Sequence, residues 1–134
     1  MDASVRLVLD ASAAVNAVLP GPLRELALGR LEGAELLAPD LIDTEVLSAL
    51  ARLSRADVIT ADEADRALAS WQRLPCTRVS VEPLLDDIWD LRQSLRVTDA
   101  HYVVLCRVFQ ATLLTADQRL VRAAPPGVSI LTIS

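Results

Sequence analysis

Lysine is absent from this chain: all 13 basic residues are arginine, against 18 acidic ones, for a formal net charge of −5. That balance argues against the basic face with which most nucleic-acid binders hold phosphate, unless part of the acidic surplus is gathered at one place and neutralised there. Arginine suits bidentate phosphate contacts, although the same usage also follows from the base composition of an encoding genome. Cysteine occurs twice and histidine once. Without CxxC or Cys/His spacing, disulfide scaffolds and zinc sites drop out, and Cys76 and Cys106 read as buried free thiols. The chain is 52% hydrophobic, yet Arg, Asp, Glu or Pro interrupts every run before the ~18 to 20 apolar residues needed to cross a bilayer. The surplus apolar surface is therefore expected to cover a partner rather than lipid. No basic leader with an apolar stretch opens the sequence, so the cytoplasm is the expected compartment. There is no internal repeat, low-complexity segment or linker, and 134 residues suit one domain with its own core.

What is present is an alternation of short β-rich runs with amphipathic helical stretches, the pattern of an α/β fold with a parallel sheet covered on both faces. Five strands are predicted near residues 5–9, 35–38, 77–81, 112–115 and 128–132. Helices are expected at Ser12 to Leu19 and, after the breaker Pro20-Gly21-Pro22, at Leu23 to Glu32. A third is expected to start with Asp40 as N-cap and Asp43 as the acidic partner of a capping box, its apolar stripe running through Ile42, Val46, Leu50 and Leu53. Thr60-Ala61-Asp62-Glu63 has the full capping-box form and opens the next helix, so these two make a hairpin around Asp57 to Thr60. Pro83 takes a first-turn position in a helix carrying Leu84, Ile88, Leu91 and Leu95, with Asp86, Asp87 and Asp90 on its solvated face.

Four acids stand where such a fold places its functional rim. Asp10 ends the apolar run Val5 to Leu9, and Asp117 follows the strand Thr112 to Thr115 after one Ala. Glu45 lies one turn into the third helix at the edge of its apolar stripe, and Asp99 opens the helix that continues Ala100-His101-Tyr102. Strand carboxyl ends and the helix starts that follow share one edge of a parallel sheet, where ligands bind. Four carboxylates converging there repel one another unless a cation lies between them. An oxygen-only set fits Mg²⁺ first and Mn²⁺ next, and suits hydrolysis of a phosphodiester by an activated water. Ser12 and Thr115 are placed to hydrogen-bond a carboxylate or a water and fix its orientation. Each acid also has a plainer reading, since Asp is common at N-caps and 12 are present. Capping accounts equally well for Asp99 or Asp117 taken singly. Asp10 is harder to explain away, because a charge ending a central apolar strand must find a partner. His101 is either a general base beside Asp99 or a hydrogen-bonded surface residue. Tyr102 and Trp71 read as packing residues, and Arg92, Arg96 and Arg119 either guide phosphate or form salt bridges.

The segments Leu7-Val8-Leu9-Asp10-Ala11-Ser12-Ala13, Pro39-Asp40-Leu41-Ile42-Asp43-Thr44-Glu45-Val46, Val97-Thr98-Asp99-Ala100-His101-Tyr102-Val103 and Leu113-Leu114-Thr115-Ala116-Asp117-Gln118-Arg119-Leu120, in this order and spacing, resemble the PIN domain, and within it the VapC-type toxins of bacterial toxin–antitoxin pairs. The resemblance implies a three-layer α/β/α domain over residues 1–134. It implies a Mg²⁺-dependent ribonuclease with Asp10, Glu45, Asp99 and Asp117 as its acidic quartet and Ser12 or Thr115 in support. It further implies a homodimer and a VapB-type antitoxin, whose C-terminal segment would lie in an apolar groove near the helices at 40–54 and 61–74. Some members carry another acid two positions after the last Asp, where this chain has Arg119, which leaves open whether one or two ions are held. Two rivals remain: a silent PIN-like interaction protein and a housekeeping RNA-processing nuclease. A phosphatase of the haloacid dehalogenase type would want a second Asp where Ser12 stands.

Overall fold

The computed structural model describes residues 5–134; residues 1–4, part of the stretch searched for a leader, lie outside them. Five strands, β1 (Arg6–Leu9), β2 (Glu35–Pro39), β3 (Thr77–Val79), β4 (Thr112–Thr115) and β5 (Ile130–Thr132), form one sheet in the order β3-β2-β1-β4-β5. Every neighbouring pair is parallel, with Val8 opposite both Leu37 and Leu113. Each falls on a predicted run, β2 reaching one residue further to Pro39; the two edge strands β3 and β5 are shorter than expected, as suits strands with a neighbour on one side only.

Helices α1 (Ala11–Val18), α2 (Arg24–Leu31), α3 (Ile42–Arg55) and α4 (Ala61–Arg73) cover one face; α5 (Leu85–Asp90), α6 (Val97–Phe109) and α7 (Gln118–Ala123) belong to the other. Side-chain alternation along β1 divides the core accordingly. Leu7 and Leu9 pack with Ala13, Ala14, Ile42 and Trp71 on the first face, while Val8 packs with Tyr102, Leu105 and Leu120 on the second. The architecture is therefore the expected three-layer α/β/α sandwich.

Local signals fare unequally. Thr60 accepts from the Glu63 amide at 3.0 Å and donates its own amide to Glu63 Oε1 at 2.9 Å, completing the predicted capping box. At the start of α3 the expectation fails. The N-cap is Leu41 with no side-chain cap, and the Asp40 amide donates instead to the Val79 carbonyl at 3.0 Å, extending the β2–β3 pairing. Asp43 is diverted as well: it accepts from Trp71 Nε1 at 2.8 Å and from Arg78 Nε and Nη2 at 3.0 and 2.8 Å. A two-pronged guanidinium outcompetes one orphan amide for a carboxylate, and the Arg78 guanidinium also lies 4.7 Å from the Trp71 ring centroid. The result is a clamp joining α3, α4 and β3.

The helix expected after Pro83 is also shorter than foreseen. A 3₁₀ turn over Glu82–Leu84 leads into α5, which stops at Asp90. The Arg92 amide donates to the Trp89 carbonyl at 3.1 Å, and Arg92 Nη1 adds a second bond to the same oxygen at 3.0 Å. Leu95 still reaches the core, and Asp86, Asp87 and Asp90 are exposed. Cys76 and Cys106 are free, and burial pushes their thiols up to about 11 and about 12, so both stay protonated at neutral pH.

Candidate active site

Reading outward from β1, the chain runs to β2 and β3 on one side and returns through β4 and β5 on the other. The switch point is the gap between the carboxyl ends of β1 and β4, where no connection crosses the crevice. Asp10 follows β1 and Asp117 follows β4, so these two acids flank the crevice. The Asp10 amide donates to the Leu114 carbonyl at 3.0 Å, fixing the end of β1 beside the end of β4.

Among the described residues three polar or charged residues are buried, and all three are here: Asp10, Asp99 and Thr115. The Asp10 backbone begins α1, its carbonyl accepting from Ala13 and Ala14, but its side chain does not cap that helix. Asp10 Oδ2 instead accepts from the Ser12 hydroxyl at 2.6 Å and the Thr115 hydroxyl at 2.7 Å. The Ser12 oxygen in turn accepts from the Ala116 amide at 2.9 Å, and the Thr115 oxygen from the Asp117 amide at 3.0 Å. Both hydroxyl protons are thus spent on Asp10, and the 3.2 Å approach of the two hydroxyls is a contact rather than another bond. The two residues expected to hydrogen-bond a carboxylate both bond to that of Asp10.

Burial pushes the Asp10 carboxyl above its ordinary range, opposed by the two hydroxyls and the Ala11 amide and reinforced by the charge of Asp117. Glu45, half-buried on α3, is likewise raised, first by burial, with Asp10 and Asp99 adding repulsion. Tyr102 donates its hydroxyl to Glu45 Oε1, which favours the ionised carboxylate. The same contact and burial push the phenol far above its usual range. Two carboxylates therefore approach one another in a partly dry setting with only neutral donors, a place that favours an added cation.

Asp99 and Asp117 are held differently. Arg119 Nη1 donates to Asp99 Oδ2 at 2.8 Å and Nη2 to Asp117 Oδ2 at 3.0 Å. Asp117 also caps α7, its Oδ1 accepting from the Arg119 and Leu120 amides at 2.9 and 3.3 Å. Capping and membership of the rim, set against each other by the sequence, are both true of Asp117. All four acids share one rim, yet among the described residues no three of them close into a ready-made cage for a metal.

A PIN domain family profile matches residues 7–125. The chain belongs to the PIN-domain family. It is 41% identical to ribonuclease VapC9 of Mycobacterium tuberculosis (strain H37Rv) over 115 residues, 85% of this chain and 87% of that protein. It is 40% identical to ribonuclease VapC3 of the same organism over 126 residues, 93% and 92% of the two chains. Those matches place it among the VapC ribonucleases within the family. The crystal structure of PAE2754 from Pyrobaculum aerophilum superposes with a TM-score of 0.70 at 21% identity, covering 96% of this chain and 84% of that one. VapBC2 from Rickettsia felis, bound to a DNA fragment from its promoter, superposes with a TM-score of 0.69 at 12% identity over 97% and 100%. At such identities the likeness speaks for the fold alone.

Within this PIN domain, the remaining residues singled out from sequence divide clearly. His101 Nδ1 pairs with the Val97 carbonyl at 2.7 Å, one turn back on α6, and makes no hydrogen bond to the four acids. Arg92 stacks on Trp89, 4.4 Å from the ring centroid, and is engaged in closing α5. Trp71 packs as expected, with its indole N–H taken by Asp43. Tyr102 and Arg119 are the members of the rim that sequence reading undervalued. Tyr102 lies three residues after Asp99, hence on the same helical face, and that spacing was the available signal.

Proposed function

We propose that this PIN domain is the toxin of a toxin–antitoxin pair, a Mg²⁺-dependent ribonuclease that hydrolyses RNA phosphodiester bonds, with Mn²⁺ able to replace Mg²⁺. The observation that carries the reading is the buried Asp10 at the switch point, held by two neutral hydroxyls and pressed upon by the charge of Asp117. The donor set fits a hard divalent ion: it consists of carboxylate and hydroxyl oxygens, with no thiolate or imidazole bonded into it. The rim of Asp10, Glu45, Asp99 and Asp117 is where it would be held. The chemistry such an ion supplies when bound is a lowered pKa for an attacking water and stabilisation of the departing oxygen.

The side chains have distinct parts to perform. Ser12 and Thr115 grip Oδ2 of Asp10, fixing the plane of the carboxylate that would face the ion. Tyr102 does the same for Glu45 from α6, tying the two faces of the sandwich across the site. Arg119 bridges Asp99 and Asp117 and holds the two side chains in register.

A hollow of about 320 Å³ opens beside Ser12, between α1 and α3 rather than between α3 and α4, walled by Ala11, Val15 and Asn16 and by Ala49, Arg52 and Leu53. Its mixed apolar lining next to the acids suits the C-terminal segment of a VapB-type antitoxin. Exposed Leu85, Trp89 and Val108 on the other face suit a homodimer contact. Among the described residues no helix is long and apolar enough to cross a membrane, and we place the protein in the cytoplasm. The test is incubation of the antitoxin-free protein with a structured RNA pool in Mg²⁺, Mn²⁺ or EDTA, beside Asp99→Asn. Metal-dependent cleavage lost in the variant is the expected result. Folded protein that cleaves nothing with either ion favours the silent interaction protein, and cleavage persisting in the variant refutes the assigned site.

A further inference from the structure

The acidic rim has two halves, distinguished by what holds the carboxylates. Asp10 and Glu45 receive hydrogen bonds from uncharged hydroxyls, those of Ser12, Thr115 and Tyr102. Asp99 and Asp117 share one guanidinium, with Arg119 Nη1 and Nη2 at 2.8 and 3.0 Å from their respective Oδ2 atoms. Both oxygens of Asp117 are consequently taken, Oδ1 by two backbone amides and Oδ2 by Arg119. For Asp99 only Oδ2 is engaged by a hydrogen bond, which leaves Oδ1 as an unused acceptor. The bridging side chain is about one-third exposed, and it emerges from the same turn that Asp117 caps, so its approach is set by the backbone of α7.

Resting on the reading of this rim as a metal site, we propose that Arg119 is its resident second cation. The guanidinium occupies the position between Asp99 and Asp117 that a second divalent ion would need, and restricts the site to one ion, held by Asp10, Glu45 and the free oxygen of Asp99. The charges support this. With the four carboxylates ionised, Arg119 and one divalent ion leave a residual single negative charge, whereas Arg119 and two such ions would leave the site net positive. A guanidinium has five N–H donors and no acceptor, so after bridging the two acids it keeps donors for a substrate phosphate. It thereby supplies positive charge at the Asp117 end of the crevice without any exchange of ligands.

Mn²⁺ alone is the probe, titrated into the metal-free full chain by calorimetry, with free Mn²⁺ counted by electron paramagnetic resonance. The wild type is expected to bind one ion per chain, and Asp10→Asn to lose it. Arg119→Gln and Arg119→Met, two neutral replacements of different shape, are expected to admit a second ion at least ten-fold more tightly than the wild type does. Arg119→Lys, which restores the charge, is expected to return to one. Two ions of comparable affinity on the wild type, or a single ion on both neutral variants, overturns the proposal while leaving the metal site intact. Absence of Mn²⁺ binding by all forms overturns the metal site itself, and with it this role for Arg119.

Discussion

Thr115→Val is the sharpest test of how Asp10 is held. Thr115 is fully buried, its hydroxyl donating to Asp10 Oδ2 at 2.7 Å and accepting from the Asp117 amide at 3.0 Å. Valine has the same shape, so no cavity forms and the change isolates the two hydrogen bonds. Loss of a hydrogen bond to a charged group costs about 1.5–3 kcal/mol, and an amide left without its acceptor about 1–3 kcal/mol. Asp117 is partly exposed, so water recovers some of the second term, and a total of about 2–4 kcal/mol follows. Thr115→Ser keeps both bonds and gives up a buried methyl, about 0.8 kcal/mol. Urea denaturation at pH 7.5 in EDTA reads both variants directly. The gap between them should narrow as the pH falls, because a protonated Asp10 depends less on the donor it has lost. Mn²⁺ affinity should drop in the valine variant and stay near wild type in the serine one. If the two variants differ by less than about 0.5 kcal/mol, Thr115 is a packing residue and the orienting role assigned to it is wrong.

Other outcomes follow from the same contacts. Asp10 and Glu45 have raised carboxyl pKa values, so their contribution to stability is full below the ordinary carboxylate range and is lost as pH rises through the raised values. Thermal melts in EDTA from pH 4 to 8 should show that loss in the wild type and less of it in Asp10→Asn, whose amide oxygen can still accept from Ser12 and Thr115. Saturating Mn²⁺ should reverse the trend at neutral pH for the wild type, by about 2.7 kcal/mol at a hundred-fold excess over Kd, and not for the variant; equal gains in both would count against Asp10 as a ligand. Trp71→Phe removes the donor to Asp43 and part of a buried ring in the clamp with Arg78. It should cost about 2–3 kcal/mol in urea denaturation, and an unchanged midpoint would show that the clamp contributes nothing.

The strands, the helices and the Thr60 capping box were legible because each depends on residues within a turn or on a period of two along a strand. Failures came where a distant group competes for a local donor or acceptor. Asp40 and Asp43 have the spacing of a helix start, but the Val79 carbonyl and the Arg78 guanidinium, dozens of residues away, claim them. The helix after Pro83 stops early in a turn where the Leu91 and Arg92 amides close back on the Ile88 and Trp89 carbonyls, and the Arg92 side chain adds a second bond to Trp89.

For the site, sequence alone determined which acids follow strands or lie near helix starts, although α6 begins at Val97 and Asp99 sits inside its first turn without capping it; the parallel pattern determined that they share one rim. The strand order that puts Asp10 against Asp117 is a property of the assembled sheet. So are the bond from Thr115 to Asp10 across 105 positions and that from Tyr102 to Glu45 across 57. Arg119 is near Asp117 in the chain, yet its grip on Asp99 exists because α6 and α7 converge on the same strand ends. Local chemistry sets what each residue can donate or accept; packing decides which partner comes within 3 Å, and that choice turns four scattered carboxylates into one site.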